Sequence, residues 1–193
     1  MRFMLGVDEA GRGPLAGPVA VGVVAVPVHF EVAREFPGVA DSKKLSEKKR
    51  ETLFALLESR VAQGDVRYVV ELESNETIDS EGIVVAVHCA LDRGVRALAP
   101  DASAVEVLLD GALKAPAEYA QETMIGGDAL VPLISLASIA AKVVRDRRMY
   151  ALAEQYQEYG FDAHKGYGTK AHYQVLQEHG QCALHRKTFL HER

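Results

Sequence analysis

Residues 3–28 read FMLGVDEAGRGPLAGPVAVGVVAVPV, and this stretch decides the fold. Residues 3–10 and 18–28 are both strand-like. The second, PVAVGVVAVPV, is rich in valine and suits a buried strand. The glycines and Pro14 between them suit a hairpin connection. Gly11, Gly13 and Ala16 also match G-x-G-x-x-A, a dinucleotide-binding fingerprint. That motif needs a helix to open at the glycines, so that its free N–H groups can hold a pyrophosphate. Here Pro14, Gly17 and Pro18 interrupt and a valine-rich strand follows. The glycines therefore read as a turn, or as a turn whose backbone approaches a ligand closely.

Outward from this hairpin, residues 46–62 read as a helix. Ser46 caps it, Glu47 favours its first turn, and Leu53, Leu56, Leu57 and Val61 form one apolar stripe. VRYVVEL (66–72) is a third strand. Residues 76–99 are helical, with Val84, Val87, Leu91, Val95 and Leu98 on one face. AVEVLLDG (104–111) is a strand ending at Asp110–Gly111, and residues 121–125 suit a short last strand. A long helix runs from about Pro132 to Tyr159, with Pro132 near its first position. HKGYGTKAHYQVLQEHG (164–180) is a loop and then a helix, capped by Thr169 and closed by Gly180. This order predicts an α/β fold, a mixed sheet with helices on its faces, and parallel strands in it need crossover helices. No repeat or linker divides the chain, so residues 1–193 are read as a single domain.

With 193 residues, 48% hydrophobic and 25% charged, the chain has the makings of a soluble globular protein with a real core. No apolar run is long enough to span a membrane, and no signal peptide is visible, so a cytoplasmic location is expected. Cys89 and Cys182 lack metal-ligand spacing and read as reduced thiols. The net charge of -5 weighs against a nucleic-acid partner unless the basic residues are concentrated on one face.

Asp8 and Glu9 follow FMLGV, Asp110 follows VEVLL, and Asp128 sits in MIGGDAL just before the long helix. A carboxylate directly after an apolar strand is costly unless its charge is compensated. One such residue is ordinarily a turn or cap, but three cases in one chain point to convergence. Converging carboxylates repel, and divalent cations relieve that repulsion. Oxygen ligands without a His or Cys cluster favour Mg²⁺ or Mn²⁺ over Zn²⁺. Two such ions about 4 Å apart can activate a water and stabilise the leaving oxygen of a phosphodiester. Adjacent strand residues point to opposite faces, so Asp8 and Glu9 share one metal pair only across a bulge; otherwise they serve different metals or groups.

DEAGRGPLAGPV (8–19), DSKKLSEKKRE (41–51), LLDG (108–111), GGD (126–128), SLASIAAKVVRD (135–146) and HKGYGT (164–169) occur in the order found in bacterial ribonuclease HII, the type 2 ribonuclease H. The chain resembles that family from Val7 to about Phe189. The resemblance implies a ribonuclease H-like fold with a mixed five-stranded sheet flanked by helices. It implies an endonuclease that cleaves the RNA strand of RNA–DNA hybrids and nicks duplex DNA 5′ to an embedded ribonucleotide, leaving 3′-hydroxyl and 5′-phosphate ends. By position, Asp8, Glu9, Asp110 and Asp128 match the family's metal-site acids, holding two Mg²⁺ or Mn²⁺ ions. Gly11, Arg12 and Gly13 match its G-R-G motif, whose backbone senses the ribose 2′-hydroxyl. Tyr167 matches a tyrosine that stacks on the sugar at the RNA-to-DNA junction. Residues from about 160 form a helical substrate-contacting segment, and the protein is expected to be a monomer. The sequence departs from the pattern at Gly126, often Lys, at Ala112, often Asn, and in SLAS for SAAS. These departures bear on substrate contacts and rate rather than on the reaction.

Lys43 and Lys44 precede the first long helix; a solvated face competes with phosphate contact, which the family match favours for Lys43. Ser138, Lys142 and Arg145 share a helix face and read as a phosphate-binding stripe, with a salt-bridge surface as the alternative. Asp146 rivals Asp128 as the fourth acid, but its position inside the helix suits a structural ion pair. His164 receives no catalytic role. His185 and Arg186 either pack or touch nucleic acid. Other readings of the same acids are a metal nuclease with another substrate, such as a junction resolvase, and a non-catalytic hybrid-binding module.

Overall fold

A computed structural model describes residues 2–190. Strands β1 (Phe3–Ala10) and β2 (Val19–Pro27) pair antiparallel over eight consecutive residue pairs, from Phe3 opposite Pro27 to Ala10 opposite Ala20. A strand, not a helix, thus follows the glycines, which removes the dinucleotide reading. β3 (Arg67–Glu73) pairs antiparallel with the far edge of β2. β4 (Val105–Asp110) runs parallel to β1, and β5 (Ala120–Met124) parallel to β4. The sheet order is β3-β2-β1-β4-β5, the expected mixed five-stranded sheet.

Between β2 and β3 lie α1 (Val32–Glu35) and α2 (Glu47–Gln63); Ser46 caps α2 by accepting from the Lys49 amide. Between β3 and β4 lie α3 (Asn75–Glu81) and α4 (Ile83–Leu98). The sequence predicts one helix here, but the chain breaks at Gly82, whose φ of 85° and ψ of 154° leave helical space. Only glycine reaches that region without strain. After β5 come α5 (Gly127–Leu130) and the long α6 (Pro132–Gln155), with proline in its first turn. α6 ends four residues before the expected Tyr159. Tyr156 leaves helical φ/ψ, and Tyr159 instead stacks on Phe161 in a separate C-terminal cluster with Ala16, Met149 and Leu152. α7 (Phe161–His164) and α8 (Lys170–His179) follow, with Thr169 capping α8 through the His172 amide. Among the described residues no helix is long and apolar enough to cross a membrane.

The alternation of side chains along the central strands assigns the two faces of the sheet. Leu5, Val7, Val21, Val23, Val107 and Leu109 join one core with Val87, Leu91 and Val95 of α4. Met4, Val24 and Val26 join another with α2 and α6. α6 lies unusually close to its face. A Cβ on Gly22 would stand 2.3 Å from the Ala137 carbonyl oxygen, and one on Gly6 would stand 2.5 Å from that of Leu133. Since Gly22 is the cross-strand partner of Asp8, this approach brings the Ser138 turn of α6 over Asp8.

Candidate active site

Asp8 ends the β1 face that looks onto α6, and Asp110 ends the same face of β4, the neighbouring parallel strand. The register of β1 is unbroken through Glu9, opposite Val21. No bulge turns Glu9 beside Asp8; it lies on the α4 side and pairs with Arg12 at 3.3 Å. Asp8 is 4% exposed. Its Oδ1 accepts the Glu9 amide at 2.7 Å, and the Ser138 hydroxyl also hydrogen-bonds to it. Burial pushes its carboxyl up to about 8, with Glu9 and Asp110 adding to the rise and the hydrogen bonds from Ser138 and the Glu9 amide opposing it.

Asp110 Oδ1 accepts the Asp128 amide at 3.4 Å. Asp128 is buried at the start of α5, where the Ser135 hydroxyl donates to its carbonyl at 2.6 Å. Its carboxylate meets Lys43 Nζ at 3.2 Å. Gly126 has a φ of 69°, and a Cβ on Gly127 would come within 2.7 Å of Ile134 Cδ1, so both glycines shape the turn that brings Asp128 to Asp110. Among the described residues no three His, Cys, Asp or Glu side chains gather closely enough to hold a metal ion as they stand. Two of the four acids instead lean on cations, Glu9 on Arg12 and Asp128 on Lys43. Asp8 is buried, makes no ion pair among the described residues, stands near Asp110 and offers only oxygen donors, a setting that fits a hard divalent cation.

The basic stripe divides once burial is seen. Ser138 is buried and shares a hydrogen bond of 2.8 Å with Ser42, so it supports Asp8 from behind. Lys142 pairs with Asp146 at 2.7 Å, the structural ion pair expected for that acid, and burial holds its ammonium below the ordinary value. Arg145 is 0% exposed and donates to the carbonyls of Ala16, Pro18 and Lys165, so the expected phosphate contact from Arg145 is not available. Lys43 and Lys44 are largely exposed, and Lys44 pairs with Asp41.

Gly11 has a φ of 89°, and a Cβ there would stand 2.0 Å from Arg145 Nε; at Gly13 it would meet nothing within 4 Å. Gly11 is therefore demanded from inside the protein, while Gly13 faces open space. Tyr167 is 41% exposed beside this turn, with Lys142 Nζ 5.9 Å and Arg145 5.7 Å from its ring. His164 stacks on His172 at 4.3 Å and bonds the Tyr159 carbonyl oxygen, in keeping with a structural place. His185 and Arg186 are both buried, which settles them as packed residues. Ser42 lies within the DSKKLSEKKRE block, but nothing in its spacing marks it as the partner of Ser138.

A mixed five-stranded sheet with carboxylates toward the ends of two adjacent, parallel central strands is the arrangement expected of the ribonuclease H class. Known proteins narrow the class to a family. The family model described as Ribonuclease HII matches residues 5–192. A ribonuclease HII from Endomicrobium trichonymphae is 46% identical over 187 residues, covering 95% of this chain and 83% of the relative. Among solved structures, the complex of PCNA and RNase HII from Archaeoglobus fulgidus contains a chain that matches with a TM-score of 0.78 at 25% identity, covering 99% of this chain and 96% of that one. Ribonuclease H2 from Pyrococcus horikoshii OT3 matches with a TM-score of 0.71 at 26% identity, covering 96% and 93%. The chain belongs to the ribonuclease HII family and is a ribonuclease H, hydrolysing phosphodiester bonds.

Proposed function

We propose that this enzyme cleaves the RNA strand of RNA–DNA hybrids and nicks duplex DNA on the 5′ side of an embedded ribonucleotide, leaving 3′-hydroxyl and 5′-phosphate ends. The observation that carries the reading is the buried Asp8, without an ion pair among the described residues, near Asp110 and directly before the Gly11–Gly13 turn. Asp8, Glu9, Asp110 and Asp128 would hold two divalent ions, Mg²⁺ or Mn²⁺. When bound, such ions supply Lewis-acid stabilisation of charge developing at the scissile phosphate. Ser138 holds the Asp8 carboxylate in place. Lys43 and Lys142 meet backbone phosphates, which position the duplex without reading its sequence. The amides of the Gly11–Arg12–Gly13 turn sense the 2′-hydroxyl, a group that DNA lacks. Tyr167 and the segment from about residue 160 contact the strand at the junction. The reading carries with it a monomeric enzyme of the cytoplasm, in keeping with the two unpaired thiols of Cys89 and Cys182.

One gel tests this: a DNA duplex with a single ribonucleotide, and an all-DNA control, each incubated with Mg²⁺, Mn²⁺ or EDTA. A single cut 5′ to the ribonucleotide is expected with either metal, none with EDTA, and none in D8N or D110N. Cleavage by D8N at saturating Mg²⁺ overturns the assignment.

A further inference from the structure

Arg186 lies far along the chain from the glycine turn, yet its guanidinium is 0% exposed and sits beneath that turn. Its Nη2 donates to the Gly11 carbonyl at 2.8 Å, Nη1 to that of Arg12 at 2.9 Å and Nε to that of Gly17 at 3.0 Å. Arg145 grips the same segment from α6, through the carbonyls of Pro18 at 2.9 Å and Ala16 at 3.5 Å. Among the described residues, every hydrogen bond made by the two guanidiniums goes to a main-chain carbonyl. Burial, with the charge of Arg145 nearby, pulls Arg186 down to about 9. Two buried cations near one another, hydrogen-bonded to carbonyls and lying against the rings of Tyr167 and Phe189 with no ion pair among the described residues, are a poor way to gain stability. The backbone completes the clamp: the Arg186 amide donates to Leu15, the Gly17 amide to Leu184 and the Leu15 amide to Gly166. The carbonyls of Gly11, Arg12, Leu15, Ala16, Gly17 and Pro18 thus face inward, while among the described residues the Arg12 and Gly13 amides donate to no main-chain carbonyl.

We propose that Arg186, assisted by Arg145, is a positioning residue for ribonucleotide discrimination. It turns the carbonyls of Gly11, Arg12 and Gly17 inward and so fixes the Arg12 and Gly13 amides outward, toward the 2′-hydroxyl. The inference rests on the proposed function and assigns a role to a residue that meets no substrate. The guanidinium serves three carbonyls from three separate nitrogens in a fixed plane, whereas the three donors of a lysine ammonium all sit on one nitrogen.

The test compares the unaltered protein with R186K on two duplexes that differ in one 2′-hydroxyl. Binding is measured with Ca²⁺ in place of Mg²⁺, and cleavage with Mg²⁺. In R186K the ratio of affinities, ribonucleotide over all-DNA, is expected to fall about tenfold, the scale of one weakened hydrogen bond. Affinity for the all-DNA duplex stays unchanged. Asp79 ties the same tail, through the Lys187 and Thr188 amides, without touching the turn. D79N is expected to lower the melting temperature and keep the ratio. An unmoved ratio in R186K, an equal fall in both affinities, or the same loss of ratio in D79N overturns the inference. Should R186K fail to fold, R145K takes its place in the same measurement: a fallen ratio supports the inference and an unmoved one overturns it. Absence of cleavage by the unaltered protein overturns the proposed function and this inference with it, whereas cleavage with an unchanged R186K ratio overturns the inference alone.

Discussion

At Asp8, chemistry and stability oppose each other. Its carboxyl ordinarily titrates near 3.8 and in the fold is pushed up to about 8, chiefly by burial. A raised acid stabilises the fold fully below the lower value, and that stability is lost as pH rises toward the upper one. Without divalent ions the melting temperature is therefore expected to decline between about pH 4 and pH 8 through this group, and Mg²⁺ should restore more of it at pH 8.5 than at pH 5. In EDTA at pH 8.5, D8N should be more stable than the unaltered protein by ~1–3 kcal/mol in urea unfolding, the scale of relieving an uncompensated buried group. Equal stability of the two proteins there removes the claim of a strained charge. Asp8 and Asp110 stand out in the sequence because each is a carboxylate that follows an apolar strand segment. Arg186 does not: one arginine among loop residues has no period or partner in sequence, and its meaning lies in carbonyls 174 and 175 positions earlier.

At the scale of elements, the contact between α6 and the sheet sets the depth of the site. Gly22 lets the helix reach the strand, and a methyl there would meet the Ala137 carbonyl oxygen at 2.3 Å. G22A is expected to cost ~1–3 kcal/mol in chemical denaturation, as overpacking does. It should also lower the cleavage rate, by lifting Ser138 from Asp8. Full activity in a destabilised G22A separates helix depth from the chemistry. Strand positions and caps were readable because valine-rich alternation and the Ser46 and Thr169 signals are local. The break at Gly82 was not, since an apolar stripe continues across it and only the backbone angle betrays the corner. Helical spacing groups Ser138, Lys142 and Arg145 on one side of α6. Spacing could not tell that Arg145 is enclosed by the turn and the C-terminal loop.

Across the whole molecule, the C-terminal segment is a buttress for the N-terminal hairpin. His172 Nε2 meets His185 Nε2 at 3.0 Å, and burial, followed by the neighbouring His172, pulls His185 down to about 4. A histidine held neutral stabilises the fold fully above its ordinary value of 6.5, and that stability is lost as pH falls toward 4. Acid should therefore loosen this segment first. Amide hydrogen exchange near α8 is expected to rise between pH 6.5 and pH 4, after correction for intrinsic rates, ahead of exchange in β1 and β2. Uniform loosening of both regions contradicts this order. The chain is net acidic, at -5. The bases around the turn, Arg12, Lys43 and Lys142, lie next to acids there, and what matters to a polyanion is that local balance rather than the total.

The clamp also has a bearing on synthesis. Gly11 and Arg186 stand 175 positions apart, so the glycine turn emerges from the ribosome early and waits for its anchor. Asp8, Glu9, Gly11 and Gly13 are all in place near the start of the chain, yet the geometry of their turn is set only after nearly all of the described residues have been made. Closing so distant a contact is slow compared with forming the local hairpin. A nascent chain of this protein would carry its glycine turn long before Arg186 could hold it.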